Sequence, residues 1–390
     1  MRRFFGYPVV LLLLGSLWFT SICHAQTTVH TLVFGGLTRS YRLHLPTNYT
    51  GATPVPLVFN LHGYTSNAQQ QELYSEMNAV ADTAGFILCY PDGVNNAWNS
   101  GFTLPYYSGV DDVGFISTLI DVISGQYNID PARVYSCGMS NGGYMSYRLA
   151  CDLENRIAAI ASVTGSMTLI QQLNCSCNRP MPVLQIHGTA DATVPYIGGS
   201  GSMGIDDVIG YWKSHNQCAA PATLDTLANI SLTDFSTVTT QWYPSCDSGV
   251  EVGLFKVEGG SHTWPGATYL IPGLVTNQDF EASIEIWKFF YRFRHPNATL
   301  TSVNGAPVEH TPIVSPNPVV LGRGNDQLKV SGLGPEARLQ LMDLHGQAVA
   351  TWTAAGEVSE MDMGKFPSGI YLLQIIGSDR QTCHKVVVQR

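Results

Sequence analysis

Three residue types that together can activate a hydroxyl group stand at glycine-flanked turns of this chain: Ser140, Asp191 and His262. Ser140 is the centre of Gly138-Met139-Ser140-Asn141-Gly142, between the apolar run Arg133-Val134-Tyr135-Ser136-Cys137 and the helical run Tyr144 to Ala150. A serine between two glycines at a strand-to-helix junction is an exposed nucleophile. The turn is too tight for side chains two residues to either side, and Gly143 adds a further place for close approach. The following helix directs its positive end at the reacting oxygen. A serine hydroxyl is a weak nucleophile and needs a base that is itself oriented. Asp191 follows the apolar run Val183 to Ile186, in His187-Gly188-Thr189-Ala190-Asp191. His262 follows Val252 to Val257, in Gly259-Gly260-Ser261-His262-Thr263-Trp264-Pro265-Gly266. Serine, acid, histidine is the order these groups take on loops beyond the carboxyl ends of a doubly wound sheet, and the chemistry is acyl transfer.

Each of these residues also has a plainer use. A loop aspartate ordinarily forms or caps a turn, and a loop histidine is ordinarily solvated; strand-end position, chain order and glycine neighbours together single these two out. Asp206, Asp207 and Asp247 are the competing acids, the first two explained by a helix start. His187 lies on the strand side of its turn and reads as structural. An oxyanion needs at least two fixed N–H donors. One is expected from the backbone of Asn141, the other from the Tyr64 amide in Leu61-His62-Gly63-Tyr64-Thr65. The His62 ring is expected to brace that loop, with Gly63 admitting a carbonyl. Trp264, two residues past the base, offers a stacking face for an aromatic acyl group or sugar, or else packs beneath its own loop. Asp111-Asp112 lack partners at ligand spacing and read as a helix start. There is no dinucleotide fingerprint, P-loop or zinc spacing, so neither cofactor nor metal is expected.

The elements that must hold these residues alternate from Val29 to about Arg294, the pattern of an α/β fold with a mostly parallel sheet covered on both faces. A hairpin, Thr31 to Phe34 and Tyr41 to Leu45, comes first. Strands follow at Leu57 to Leu61, Phe86 to Tyr90, Val134 to Cys137, Ile157 to Val163, Val183 to Ile186 and Val252 to Val257. Several are unbroken apolar runs, as expected when both faces are buried. Helical spacing joins Leu73, Met77, Val80, Ala81 and Ala84, then Val113, Ile116, Leu119, Ile120 and Ile123, then Ile205, Val208, Ile209 and Trp212. A last apolar stripe, Phe280, Ile284, Trp287 and Tyr291, is expected to face the core, with Pro296 ending the helix. Residues 26–294 thus form the catalytic domain. Residues 295–316, rich in breakers, form a linker. Residues 317–390 show short strands only and predict a small antiparallel β-sandwich.

Residues 1–25 read as a secretory signal: Arg2 and Arg3, an apolar stretch from Val9, and small residues before a cut at Gln26. Ile22 is too large for lipoprotein processing at Cys23, and the apolar run is short for a retained anchor; no later segment is long enough to span a bilayer. Removing the signal takes two arginines and no acid, moving the net charge from −9 to −11. So acidic a chain is a poor nucleic-acid ligand. Of the nine cysteines, eight remain after the signal, in a compartment where disulfides persist. Cys218 and Cys246 are expected to pair, and Cys151 with Cys175 or Cys177. Cys89 and Cys137 fall in apolar strands and read as buried thiols.

Six motifs in matching order carry a likeness across residues 28–294. They are His62-Gly63-Tyr64, Tyr90-Pro91-Asp92-Gly93, Val110 to Phe115, Gly138 to Gly143, His187 to Asp191 and His262 to Gly266. They resemble the secreted polyhydroxybutyrate depolymerase and feruloyl esterase family. The resemblance implies an α/β-hydrolase with Ser140 as nucleophile, Asp191 as acid and His262 as base, cleaving carboxylic esters without a cofactor. Family members divide between polyester depolymerases and esterases that trim feruloyl or acetyl groups from xylan. In the tail, Ser315-Pro316-Asn317-Pro318, Asp343 to Val349, Phe366 to Tyr371 and Lys385 to Val388 resemble the C-terminal sorting domain of type IX secretion. That likeness implies export to the surface or beyond, with the type IX machinery as partner. It favours an ester borne on polysaccharide over polyester. Two other classes compete. A peptidase of the prolyl oligopeptidase type would need an N-terminal cap for which there is no room. A carbohydrate-binding surface protein on an inactive scaffold would have no need of all three reactive residues.

Overall fold

A computed structural model of the chain describes residues 26–298 apart from 103–106, 200 and 220, and most of 313–389, leaving out 316–318, 321–325, 332, 334–336, 344–347, 355, 357 and 377–380. The stretch read as a secretory signal and most of that read as linker lie outside the described residues. The chain divides into two units, residues 1–300 and 301–390.

In the first unit ten strands form one sheet. They are β1 (Gln26–Phe34), β2 (Leu37–Leu45), β3 (Val55–Leu61), β4 (Ile87–Pro91), β5 (Ile129–Met139), β6 (Ala159–Val163), β7 (Val183–Gly188), β8 (Thr223–Thr226), β9 (Thr237–Tyr243) and β10 (Val252–Glu258). Their order is β1-β2-β4-β3-β5-β6-β7-β10-β9-β8. The six strands from β4 to β10 in that order run parallel, and antiparallel strands close both edges. The order reverses between β3 and β5, and a crevice opens beyond the carboxyl ends of strands at such a switch point.

The unbroken apolar runs are explained by two cores, one on each face. Leu57, Phe59, Leu61, Ile87, Cys89, Val183 and Leu254 enter one core, with α3 (Asp112–Gln126), α4 (Asn141–Asp152) and α6 (Ile205–His215). The alternate residues Val58, Leu88, Tyr90, Leu184, Ile186 and Phe255 enter the other, with α2 (Met77–Ala84) and α7 (Ala282–Phe290).

Two helical expectations need correction. Leu73 and Met77 do not share a helix: α1 (Ala68–Ser75) ends before Glu76, whose φ of 51° breaks the chain, and α2 starts anew. Leu73 is exposed. In α7 the buried face is Ala282, Ser283, Ile286, Phe289 and Phe290, while Tyr291 is exposed and Ile284 and Trp287 are half-buried. The aromatic stripe misleads there because the helix carries a second apolar stripe, Ala282, Ile286, Phe289 and Phe290, so period alone does not choose its core face. Helix α7 also ends at Phe290, ahead of Pro296.

The second unit holds two sheets. β11 (Ile313–Ser315), β13 (Gln327–Ser331) and β16 (Val358–Asp362) form one. β12 (Val319–Val320), β14 (Arg338–Met342), β15 (Ala348–Thr353), β17 (Gly369–Ile376) and β18 (Gln381–Gln389) form the other, in the order β12-β18-β17-β14-β15. Leu328, Val330 and Met361 from the first meet Leu339, Leu341, Leu373 and Val386 from the second in one core. β11 pairs with β13 from within the stretch read as linker.

Candidate active site

Ser140 joins β5 to α4 with φ 54° and ψ −120°, a conformation that L-residues avoid and that persists only where surroundings enforce it. The glycines show what enforces it. A Cβ on Gly142 would stand 2.1 Å from the Leu61 carbonyl oxygen, and one on Gly138 2.6 Å from that same oxygen. On Gly143 it would meet Ser162 Oγ at 2.5 Å. Helix α4 therefore starts directly against β3 and β6, and the Ser140 amide donates to Val163 O at 2.9 Å. The hydroxyl-bearing residue is left partly exposed at the switch point.

Facing it is the loop after β3. A Cβ on Gly63 would lie 3.4 Å from Ser140 Cβ and 3.9 Å from Oγ, so Gly63 borders the hydroxyl. The fully buried His62 ring braces this loop. The Gly93 amide donates to its Nε2 at 2.9 Å, which leaves the proton on Nδ1 to donate to Gly63 O at 2.7 Å. Burial lowers the pKa of this ring and keeps it neutral. The Trp98 indole donates to His62 O at 2.9 Å. Asn141, which follows the nucleophile, ties its side chain to the same region: Oδ1 accepts from the Trp98 amide at 2.6 Å and Nδ2 donates to Ser100 Oγ at 2.8 Å.

Asp191 and His262 meet on the loops after β7 and β10. The closeness again depends on glycine, since a Cβ on Gly188 would stand 2.2 Å from Gly260 O. The Thr189 amide donates to Val257 O and the Ala190 amide to Gly260 O, knitting the two loops together. Asp191 Oδ1 accepts from the amides of Thr193 and Val194 at 2.9 and 2.8 Å. Its Oδ2 accepts from His262 Nδ1 at 2.7 Å, with the carboxylate fully buried and the imidazole 14% exposed. That bond places the His262 proton on Nδ1 and leaves Nε2 with a lone pair. Ser140 Oγ and His262 are not hydrogen-bonded to each other here; such bonds are often long without substrate and tighten on binding.

The remaining residues sort themselves by their partners. Trp264 is a correction: its ring is 1% exposed, its Nε1 donates to Ser283 Oγ, and its amide donates to the Tyr74 hydroxyl. It offers no face for stacking and packs beneath its loop. Asp206 accepts from the Tyr196 hydroxyl in the first turn of α6, without a capping bond. Asp111 caps α3 through the Gly114 amide, as a helix start requires. Asp112 does more: it is buried and accepts from Arg39, the Asn99 amide and Ser108 Oγ, anchoring the loop that holds Asn141. No local pattern marks Arg39, 73 residues away in sequence. Cys151 pairs with Cys175 and Cys218 with Cys246, while Cys89, Cys137 and Cys177 are free and buried.

Residues 39–195 match the family model described as esterase PHB depolymerase, and residues 314–389 match the secretion system C-terminal sorting domain. The second match makes this an exported protein, at the cell surface or beyond. "Putative esterase NocK" of Nocardia uniformis subsp. tsuyamanensis is 32% identical over 269 residues, covering 64% of this chain and 77% of that protein. Feruloyl esterase B of Piromyces equi is 30% identical over 239 residues, 57% of this chain; the chain spans only 42% of that longer protein. Among solved structures, the acetyl xylan esterase from Aspergillus awamori matches at a TM-score of 0.49 and 14% identity, covering 68% of this chain and 99% of that one. The chain belongs to the esterase PHB depolymerase family of carboxylic ester hydrolases.

Proposed function

We propose that this protein is a secreted serine esterase that works through an acyl-enzyme and acts on feruloyl or acetyl esters of plant polysaccharide. The observation that carries the reading is the buried 2.7 Å bond from His262 Nδ1 to Asp191 Oδ2, at the same carboxyl end of the parallel strands as the strained Ser140 turn. In this account His262 Nε2 removes the Ser140 proton and Oγ bonds to the ester carbonyl carbon. The amides of Tyr64 and Asn141 hold the resulting oxyanion. Collapse breaks the bond to the alkoxy oxygen, which leaves with the proton from His262. Water, deprotonated by the same imidazole, then releases the acid and restores Ser140. Asp191 fixes the tautomer and steadies the imidazolium.

The polysaccharide side is supported by the feruloyl esterase relative and by a sorting domain in the tail. In this reading the tail passes the protein to the type IX machinery. A second reading, polyester depolymerisation, draws on the description of the family model itself. Mature protein tested in parallel on methyl ferulate, acetylated xylan and polyhydroxybutyrate granules separates them. Turnover of either of the first two, with granules untouched, is expected. Clearing of granules alone would replace the polysaccharide reading with the polyester one.

A further inference from the structure

A second buried histidine lies behind the acid of this site. His187 and Gln185 stand two residues apart on β7 and therefore share a face. Gln185 is completely buried, and its orientation is settled by its partners. Its Oε1 accepts from the Tyr147 hydroxyl at 2.7 Å, and its Nε2 donates to Gly165 O at 2.8 Å. The same amide nitrogen lies 3.0 Å from His187 Nδ1, so that ring nitrogen accepts and the ring proton sits on Nε2. From there Nε2–H donates to Val194 O at 2.8 Å, with Asp191 Oδ2 at 3.5 Å. The opposite tautomer would set a lone pair against a carbonyl and a carboxylate. Burial also depresses the His187 pKa, keeping the ring neutral beside Asp191, His262 and the edge-on ring of Tyr196.

We infer that His187 is a positioning residue for the Asp191–His262 pair, held in its working tautomer by Gln185. It clamps the turn whose Thr193 and Val194 amides grip Asp191 Oδ1, and it turns a positive N–H edge toward Oδ2. Gln185 extends the clamp to the nucleophile. A Cβ on Gly165, whose carbonyl Gln185 holds, would stand 2.8 Å from Ser140 O. One buried amide thus joins the turn beside the serine to the turn carrying the acid. A neutral ring does this without competing for the charge that His262 needs during turnover.

The inference rests on the triad assignment, and the test separates the two. Wild type, Ser140→Ala, His187→Leu and His187→Gln are compared on p-nitrophenyl acetate across pH, with melting temperatures recorded. Leucine removes the N–H; glutamine returns one near the position of Nε2. His187→Leu is expected to lower kcat roughly 10–100-fold, the scale of a small misplacement of reacting groups, and to displace the acid limb of the kcat/KM profile. KM should change less than about twofold, and His187→Gln should recover most of kcat. A folded His187→Leu with unchanged kcat and acid limb overturns the inference, as does a glutamine variant no better than leucine at equal melting temperature. Activity surviving in Ser140→Ala would instead defeat the triad assignment. Should neither His187 variant fold, imidazole ¹⁵N shifts of the wild type decide. The Nε2–H tautomer from pH 6 to 8 is expected, and Nδ1–H overturns the inference.

Discussion

At the scale of single residues, Ser140 announces itself because its chemistry demands glycine neighbours that sequence displays directly. Gly138 and Gly142 have no alternative where a Cβ would strike the Leu61 carbonyl. The Asp191 and His262 turns are legible for the same reason, since Gly188 and Gly260 touch. What sequence hides is whatever depends on a distant partner. The tautomer of His62 is set by an amide 31 positions away, and nothing near Trp264 says that Ser283 and Tyr74 enclose it. If Asp191 holds the His262 tautomer, Asp191→Asn preserves the fold but presents the wrong hydrogen-bonding edge. Turnover on p-nitrophenyl acetate is then expected to fall by about 10⁴-fold, with the melting temperature little changed. A loss below tenfold would remove Asp191 from the account.

Elements were readable where the pattern had one meaning. The inner strands were plain because residues of both faces are apolar, and the two cores take alternate positions. The break at Glu76 was not, because its left-handed conformation leaves the spacing from Leu73 to Met77 helical. The buried side of α7 is hidden because two apolar stripes at helical spacing, Ile284 with Trp287 and Ile286 with Phe289 and Phe290, compete for it. The junction of β3, β5 and α4 is the tightest packing the site depends on, with the Gly142 position opposed by backbone that cannot turn aside. Gly142→Ala should therefore destabilise the protein by about 1–3 kcal/mol, the usual cost of overpacking, and reduce kcat as α4 is pushed off β3. Urea unfolding and steady-state kinetics on that variant check both. An unchanged unfolding midpoint would mean that α4 has room the structure does not show.

For the whole molecule, the chain combines a catalytic unit with a β-sandwich whose sequence carries a sorting signature. Net charge marks the chain as acidic, yet it says nothing of which strands pair. Its buried histidines make a prediction for the entire fold. Burial holds the pKa values of His62, His187 and His295 below the ordinary 6.5, with partial burial doing the same at His30. The unfolded chain therefore binds protons that the folded one refuses. This contribution to stability is complete above the unfolded-state pKa and is lost as pH falls toward the depressed folded values. The urea midpoint should be higher at about pH 7.5 than at about pH 5.5, before most carboxylates titrate. A flat profile across that window would show that these rings accept protons in the folded state.

In the proposed mechanism Ser140 carries the acyl group. Intact-mass and peptide-mapping measurements after treatment with a fluorophosphonate test it most directly, because the reagent phosphonylates only an activated serine. A single adduct is expected on the peptide containing Ser140, lost in Ser140→Ala together with turnover by several orders of magnitude. No adduct, an adduct on another serine, or near-normal turnover in Ser140→Ala would contradict it.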